Sequence, residues 1–140
     1  LREEAKQFSI EYVKLYFQED CEKSYLLLSN SLINFGDKNV ELLNKARYKS
    51  KLCDSHHKAV RDKSKSFDDY LKLYEIQVFS ADEVENGISK TLPHGYIATD
   101  TDYFFFGGNL KDESEENFIW DDTFSFMVRK ENGRWMIKGL

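Results

Sequence analysis

The chain has 140 residues, 41% apolar and 15% aromatic, the length of one ordinary domain with enough apolar material for a real core. Its 20 Lys and Arg stand against 25 Asp and Glu, a net charge of −5 that disfavours wholesale polyanion binding. The aromatic content excludes a disordered tail, and the longest uncharged run, the 13 residues Ser24–Gly36, is too short for a bilayer span.

Residues 1–19 predict a helix. The apolar side chains from Leu1, Ala5 and Phe8 through Tyr12, Val13, Tyr16 and Phe17 fan over an arc of roughly 220°, against about 100° for an ordinary surface helix. So wide an arc predicts a helix clasped by its surroundings. Asp20 is a good N-cap for a second helix through Leu28, with Glu22 in its positive first turn. Ser29–Ser31 stops that helix, and Leu32–Phe35 reads as a short strand ended by Gly36. Residues 39–65 read as broken helix with a polar majority.

Ser66, with Asp69 three residues on, predicts a capping box and a short helix to about Leu73. The period then changes to two: Tyr74, Ile76 and Val78 alternate with Glu75, Gln77 and Phe79, a half-buried strand. Everything after Asp82 reads as sheet. Gly87, Pro93 and Gly95 mark a loop, Tyr96–Phe106 a strand, and Gly107–Asn117 a polar hairpin loop. Phe118–Lys130 is a long strand and Arg134–Gly139 its return. Asn132-Gly133 between two alternating runs is a type I′ turn signal, because both residues tolerate positive φ. The two-residue loop sets Lys130 opposite Trp135, Val128 opposite Ile137 and Phe126 opposite Gly139. Phe124, Phe126, Val128, Trp135 and Ile137 then share the core face, and Met127, Arg129, Met136 and Lys138 the other. Helices first and strands after predict an α+β domain over residues 1–140, with a basic insertion at about 38–66.

The two helices at the start, together with the terminal hairpin FSFMVRKENGRWMIKG, resemble the nuclear transport factor 2-like superfamily, which has the cystatin-like fold. The likeness covers residues 1–36 and 67–140. It implies a curved antiparallel sheet wrapped as a cone around the long N-terminal helix, with a pocket inside, lined here by Tyr12, Tyr16, Tyr103, Phe105, Trp120 and Phe124. It also implies that the outer sheet face meets a second protomer, where Met127 and Met136 would lie. Enzymes of the superfamily commonly place a carboxylate in the cone with a tyrosine beside it. Asp122 falls on the core-side register, two residues before Phe124, and Tyr12 and Tyr16 lie one helical turn apart, so these three are the candidate catalytic residues. A carboxyl in apolar surroundings has a raised pKa suited to acid–base work.

Other chemistry is thinly represented. Asp54, His56 and His57 form the one ligand-like cluster, and with only His94 besides, three converging zinc ligands are not available, so no metal and no cofactor is expected. Cys53 with His56 or His57 is a conceivable pair without a nucleophile motif, and Gly107-Gly108 is not a phosphate loop. Two cysteines, Cys21 and Cys53, are too few for a disulfide framework and lean toward a reducing, cytoplasmic interior. Residues 1–19 lack an apolar signal-peptide core, and a chain opening on Leu1 leaves the compartment open. Residues 45–65 carry eight basic residues, Lys45, Arg47, Lys49, Lys51, Lys58, Arg61, Lys63 and Lys65, against Asp54 and Asp62. Residues 100–122 carry eight acids against Lys111. With Tyr48 alone among the basic residues, a stacking platform for nucleic acid is missing. The sequence therefore favours a small-molecule-binding or dimeric assembly module without catalysis, one with a small apolar ligand or a homodimer partner and no membrane. Its rivals are a cofactor-free isomerase, dehydratase or hydrolase using Asp122 with Tyr12 or Tyr16, and an adaptor that binds protein or nucleic acid through residues 45–65.

Overall fold

The computed structural model describes residues 1–35, 39–87, 92 and 94–140. Among them the order is α1 (Arg2–Phe17), α2 (Cys21–Leu26), β1 (Leu28–Phe35), β2 (Val40–Leu42), α3 (Lys45–Lys58), α4 (Phe67–Leu73), β3 (Tyr74–Ser80), α5 (Ala81–Gly87), β4 (Tyr103–Leu110), β5 (Ser125–Glu131) and β6 (Arg134–Gly139). The strand stop at Gly36 and the Pro93 turn lie outside the described residues. The fold is α+β. Its six strands form one open sheet in the order β2-β1-β6-β5-β4-β3.

The sheet is mixed, which corrects the expectation of an antiparallel one. β1 runs parallel to β6, with Leu28 opposite Ile137 and Ile33 opposite Gly139. The reason lies in Ser29–Ser31, which continue the strand instead of stopping a helix. That makes β1 long enough to complete the free edge of β6, and the Ile137 N–H donates to the Leu27 carbonyl at 2.8 Å.

Helix α1 lies on one face. Ala5, Ser9, Tyr12, Val13 and Tyr16 are fully buried, a stripe about 100° wide as on an ordinary surface helix. Phe8, Ile10, Leu15 and Phe17 are half-buried on its shoulders. The broad apolar arc is therefore sheltered at its margins and not clasped all round. Beneath it lie Leu28, Leu32, Phe105, Phe126, Val128 and Ile137, all buried. The opposite face of the sheet is covered too. There α5 sets Ala81 and Val84 on Phe104 and Met127, with Tyr96 and Phe35 packed beside them.

Local signals account for the boundaries that match. The Asp20 carboxylate accepts the Lys23 N–H, and Ser66 and Asp69 form the reciprocal capping box. Asn132 and Gly133 adopt φ of 51° and 76°, and Lys130 and Val128 face Trp135 and Ile137 as the turn dictates. Past that point a bulge places Met127, not Phe126, opposite Gly139. Three further expectations are corrected. Residues 81–87 are helical, β4 begins at Tyr103 and runs through Gly107 to Leu110, and β5 begins only at Ser125, behind a single 3₁₀ turn at Asp121–Phe124. Side chains take over the backbone in those places. Asp102 accepts the Thr99 N–H at 3.0 Å, and Asn117 Oδ1 accepts the Ile119 N–H at 3.2 Å.

Gly133→Ala is expected to lower stability by about 1–2 kcal/mol, the cost of a Cβ in the left-handed region. A urea unfolding midpoint equal to wild type would show that the turn re-forms without strain.

Candidate functional site

The strongest concentration of unusual side chains is where α1, α2 and α3 meet above the sheet. Tyr12 and Tyr16, one turn apart on α1, are both buried, and their hydroxyls lie 3.3 Å apart. Tyr12 sets its edge against Phe126, with centroids 5.1 Å apart. Tyr16 packs beside Phe124 at 5.7 Å. Its other contact is the His56 ring of α3, stacked at 4.0 Å and 16°. Burial, with the neighbouring Tyr16 hydroxyl, pushes the Tyr12 phenol well above its ordinary value. Burial likewise raises Tyr16, against the opposing hydrogen bond from Tyr12. Both phenols are neutral hydrogen-bonding groups at pH 7.

His56 is only 1% exposed, and neither ring nitrogen meets a protein partner in hydrogen-bond geometry among the described residues. Burial drives its pKa down to about 4, against the opposing pull of the Leu15 carbonyl and of the Asp20 and Glu19 carboxylates. A neutral ring is thus the resident form, held by stacking and not by pairing.

The joint between α1 and α2 fixes this arrangement. Glu19 N–H donates to the Tyr16 carbonyl and Asp20 N–H to that of Leu15, the two bonds of a Schellman ending. The position between them demands a left-handed residue, and it is filled by Glu19 at φ 51° in place of the usual glycine. Its carboxylate thereby meets His57 Nδ1 at 3.0 Å and Lys63 Nζ at 3.8 Å. Glu22 of α2 pairs with Lys49 of α3 at 3.2 Å. Between the two helices, Cys21 and Cys53 form a disulfide with Cα atoms 5.2 Å apart. That corrects the reading of the cysteines as reduced thiols and removes Cys53 as a nucleophile.

The interior carboxylate is corrected as well. Asp122 lies in the 3₁₀ turn, exposed to solvent, because Asn117 and Asp121 hold that stretch in a local turn, with Nδ2 donating to Asp121 at 2.9 Å. Trp120, expected to line a pocket, is 52% exposed and stacks under the Arg61 guanidinium at 4.4 Å. Tyr103, Phe105 and Phe124 are buried. Phe105 stacks on Phe126 with centroids 4.8 Å apart, filling space that a pocket would need. Among the described residues no cluster of His, Cys, Asp and Glu could hold a metal ion, and no helix is long and apolar enough to cross a membrane.

The basic segment is partly engaged inside the fold. Lys45 donates to the Leu28 carbonyl at 2.8 Å and lies over Tyr25, Lys49 and Lys63 are ion-paired, and Arg61 covers Trp120. Arg47, Lys51 and Lys58 are exposed along α3.

Two polar groups that sequence reasoning passed over are buried on the other sheet face. Asp102 accepts both Arg129 Nε at 2.6 Å and Arg129 Nη2 at 2.9 Å. It also accepts from the Tyr96 hydroxyl, the Thr99 hydroxyl and the Thr99 N–H. Burial works against its charge, but the guanidinium and these donors outweigh it and hold the carboxyl below its usual range. Lys138 Nζ donates to the Ser31 carbonyl at 2.7 Å and faces Glu131 at 3.5 Å. Glu131 also lines a groove of about 390 Å³ with Ser29–Ser31, Asn132, Arg134 and Met136. In both cases the strand alternation put a charged residue on the outer face, and only the long-range partner buries it. Met127 is fully buried by the chain's own α5 layer and Met136 is half-buried, so Met127 is not part of an exposed sheet face.

Comparison with family models, curated proteins and solved structures finds no match to this chain.

Proposed function

We propose that the chain is a single nuclear transport factor 2-like domain acting as a binding or dimeric assembly module, without catalysis of its own. The observation that carries this is the filled interior. Tyr12, Tyr16, His56, Phe105, Phe124 and Phe126 pack on one another where a substrate would sit, and the acid meant to serve it, Asp122, points to water. The strand order and the helix α1 lying on one sheet face are compatible with the cone of that superfamily. A filled core favours a scaffold over an enzyme, because a general base needs a proton within reach of an approachable substrate.

A homodimer would form through the part of the outer sheet face that α5 leaves open. There β2 presents Leu42, 73% exposed, and residues 96–102, tied to Arg129 of β5, present Ile97, 80% exposed. Large exposed aliphatics of this kind suit the apolar centre of an interface. The adaptor reading has less support, since five of the eight basic residues of 45–65 already have partners within the fold.

Light scattering at high protein concentration is expected to give twice the monomer mass, and Leu42→Asp to halve it with the circular dichroism unchanged. A monomer for the wild-type chain at every concentration would end the dimer reading.

A further inference from the structure

Three features of the α1–α2–α3 joint remain unexplained by a static module: a buried histidine with no hydrogen-bond partner, a strained Glu19, and a disulfide placed three residues before that histidine. We infer that the C-terminal half of α3 is an acid-released latch over the Tyr12–Tyr16 face of the core, with His56 as its trigger and the Cys21–Cys53 bridge as its tether.

The argument starts from what the imidazole touches. One face stacks on Tyr16, and its nitrogens are sealed from water without an acceptor. A buried polar group without a partner already costs free energy, and a charged one costs far more. The groups facing it from other elements are the Tyr16 phenol and Leu15 carbonyl of α1 and the carboxylates of Glu19 and Asp20 at the joint. None of them meets a ring nitrogen in hydrogen-bond geometry, and each is engaged elsewhere. The Leu15 carbonyl already accepts the Asp20 N–H, Glu19 is held by His57 and Lys63, and Asp20 caps α2 through the Lys23 N–H. On its own helix the neighbouring groups are His57 and Lys58, of which Lys58 adds positive charge in the same turn. The Asp20 and Glu19 carboxylates favour the charged ring but do not offset its burial, so a protonated His56 is driven toward water.

The sign follows from the direction of the shift. The closed fold lowers the affinity of His56 for a proton, to a pKa of about 4 from the ordinary 6.5. The closed state is fully favoured above pH 6.5, and it loses ground as the pH falls from there toward 4, where an opened state binds the proton that the closed state refuses. Release parts the exposed His57–Glu19 contact of the same turn, which contributes little. With Cys53 fixed to Cys21, the movement is confined to residues after Cys53. It uncovers the Tyr16 ring and, behind it, the Tyr12 hydroxyl. The same movement is the route by which an apolar guest would enter the otherwise filled core.

The test follows a hydrophobic dye, anilinonaphthalene sulfonate, across a titration of the intact oxidised protein. Dye emission is expected to rise several-fold between pH 6.5 and 4 with the far-ultraviolet circular dichroism retained. In His56→Phe, which keeps the stack on Tyr16 without a proton site, the emission stays flat. An equal rise in His56→Phe, or no rise in the wild-type protein, overturns the inference. Should His56→Phe not fold, the ring resonances of the wild-type histidines decide. His56 titrating well below the ordinary 6.5, together with faster amide exchange in residues 54–58 than in α1 at low pH, supports the latch. A His56 that titrates at the ordinary value overturns it.

Discussion

Replacing both cysteines, Cys21→Ser with Cys53→Ser, is expected to lower the stability of the protein by about 3–4 kcal/mol, the loop-closure entropy of a bridge of this span. The bridge joins residues 32 apart in sequence. A loss of that size corresponds to a fall in melting temperature of about 10 °C. The effect is large because the bridge secures elements with little else to hold them. Helix α2 has six residues, far below the length at which a helix persists alone. Helix α3 buries only Leu52 and His56 of its fourteen. Their other links are the Lys45 and Lys49 ammonium groups over the Tyr25 ring and the exposed ion pair of Glu22 with Lys49. The exposed ion pair of Glu19 with His57 at the joint adds to them, and such exposed contacts contribute little. A dithiol reductant should reproduce the double substitution, with two thiols appearing in the denatured protein. Thiols found in the unreduced protein, or an unchanged melting temperature, would show that the bridge is not a feature of the chain in solution.

The part of this fold that could be read from sequence is the part decided within a few residues. Asn132-Gly133 fixed its own turn and the first two pairs of the register because the backbone has little choice there. Ser66 with Asp69, and Asp20 before α2, cap their helices by bonds that span three residues. A signal of the same kind was present and unread at Ser80. Its N–H donates to Glu83, whose own N–H returns to the Ser80 hydroxyl, so the start of α5 was as legible as that of α4. The mixed sheet was not. Ser29 and Ser31 look like helix stops because their partners, Glu131 and Lys138, lie about a hundred residues away. Strand parity beyond Ser125 placed Asp122 on the core side, and the argument failed because Asn117 and Asp121 had already turned the chain. His56 was visible only as half of a histidine pair. Which of two adjacent histidines is buried depends on where α1 lies, and no local pattern carries that.

The second large effect is expected at Asp102, and it should be unequal between the two partners of its pair. Asp102→Asn is expected to cost about 3–5 kcal/mol, as for a buried ion pair deprived of one member, whereas Arg129→Met should cost clearly less. The asymmetry follows from who else is present. Arg129 keeps 16% of its side chain exposed and has one further acceptor, the Ile97 carbonyl at 3.1 Å. Without the carboxylate it is a mostly buried cation with a single partner. Asp102 is completely enclosed, but without Arg129 it still accepts from Tyr96, from the Thr99 hydroxyl and from the Thr99 N–H. An asparagine there turns its NH₂ toward an Arg129 N–H at either oxygen position, so it loses an acceptor and sets donor against donor. The pair holds down the strap 96–102, whose Tyr96 ring covers Phe35 and Phe104, and losing it uncovers that second apolar layer. Combining Asp102→Asn with Arg129→Met should recover part of the loss, since the orphaned cation is then gone. The carboxyl of Asp102 is held below its usual value, so its contribution is present at neutral pH and is lost only as the pH falls through that lowered value. The wild-type advantage over Asp102→Asn should accordingly persist across the window in which His56 takes up its proton, and shrink only in stronger acid. Urea unfolding of the four proteins at neutral pH and in stronger acid measures this. Equal losses for the two single variants would mean that the strap is held by its apolar contacts and not by the ion pair.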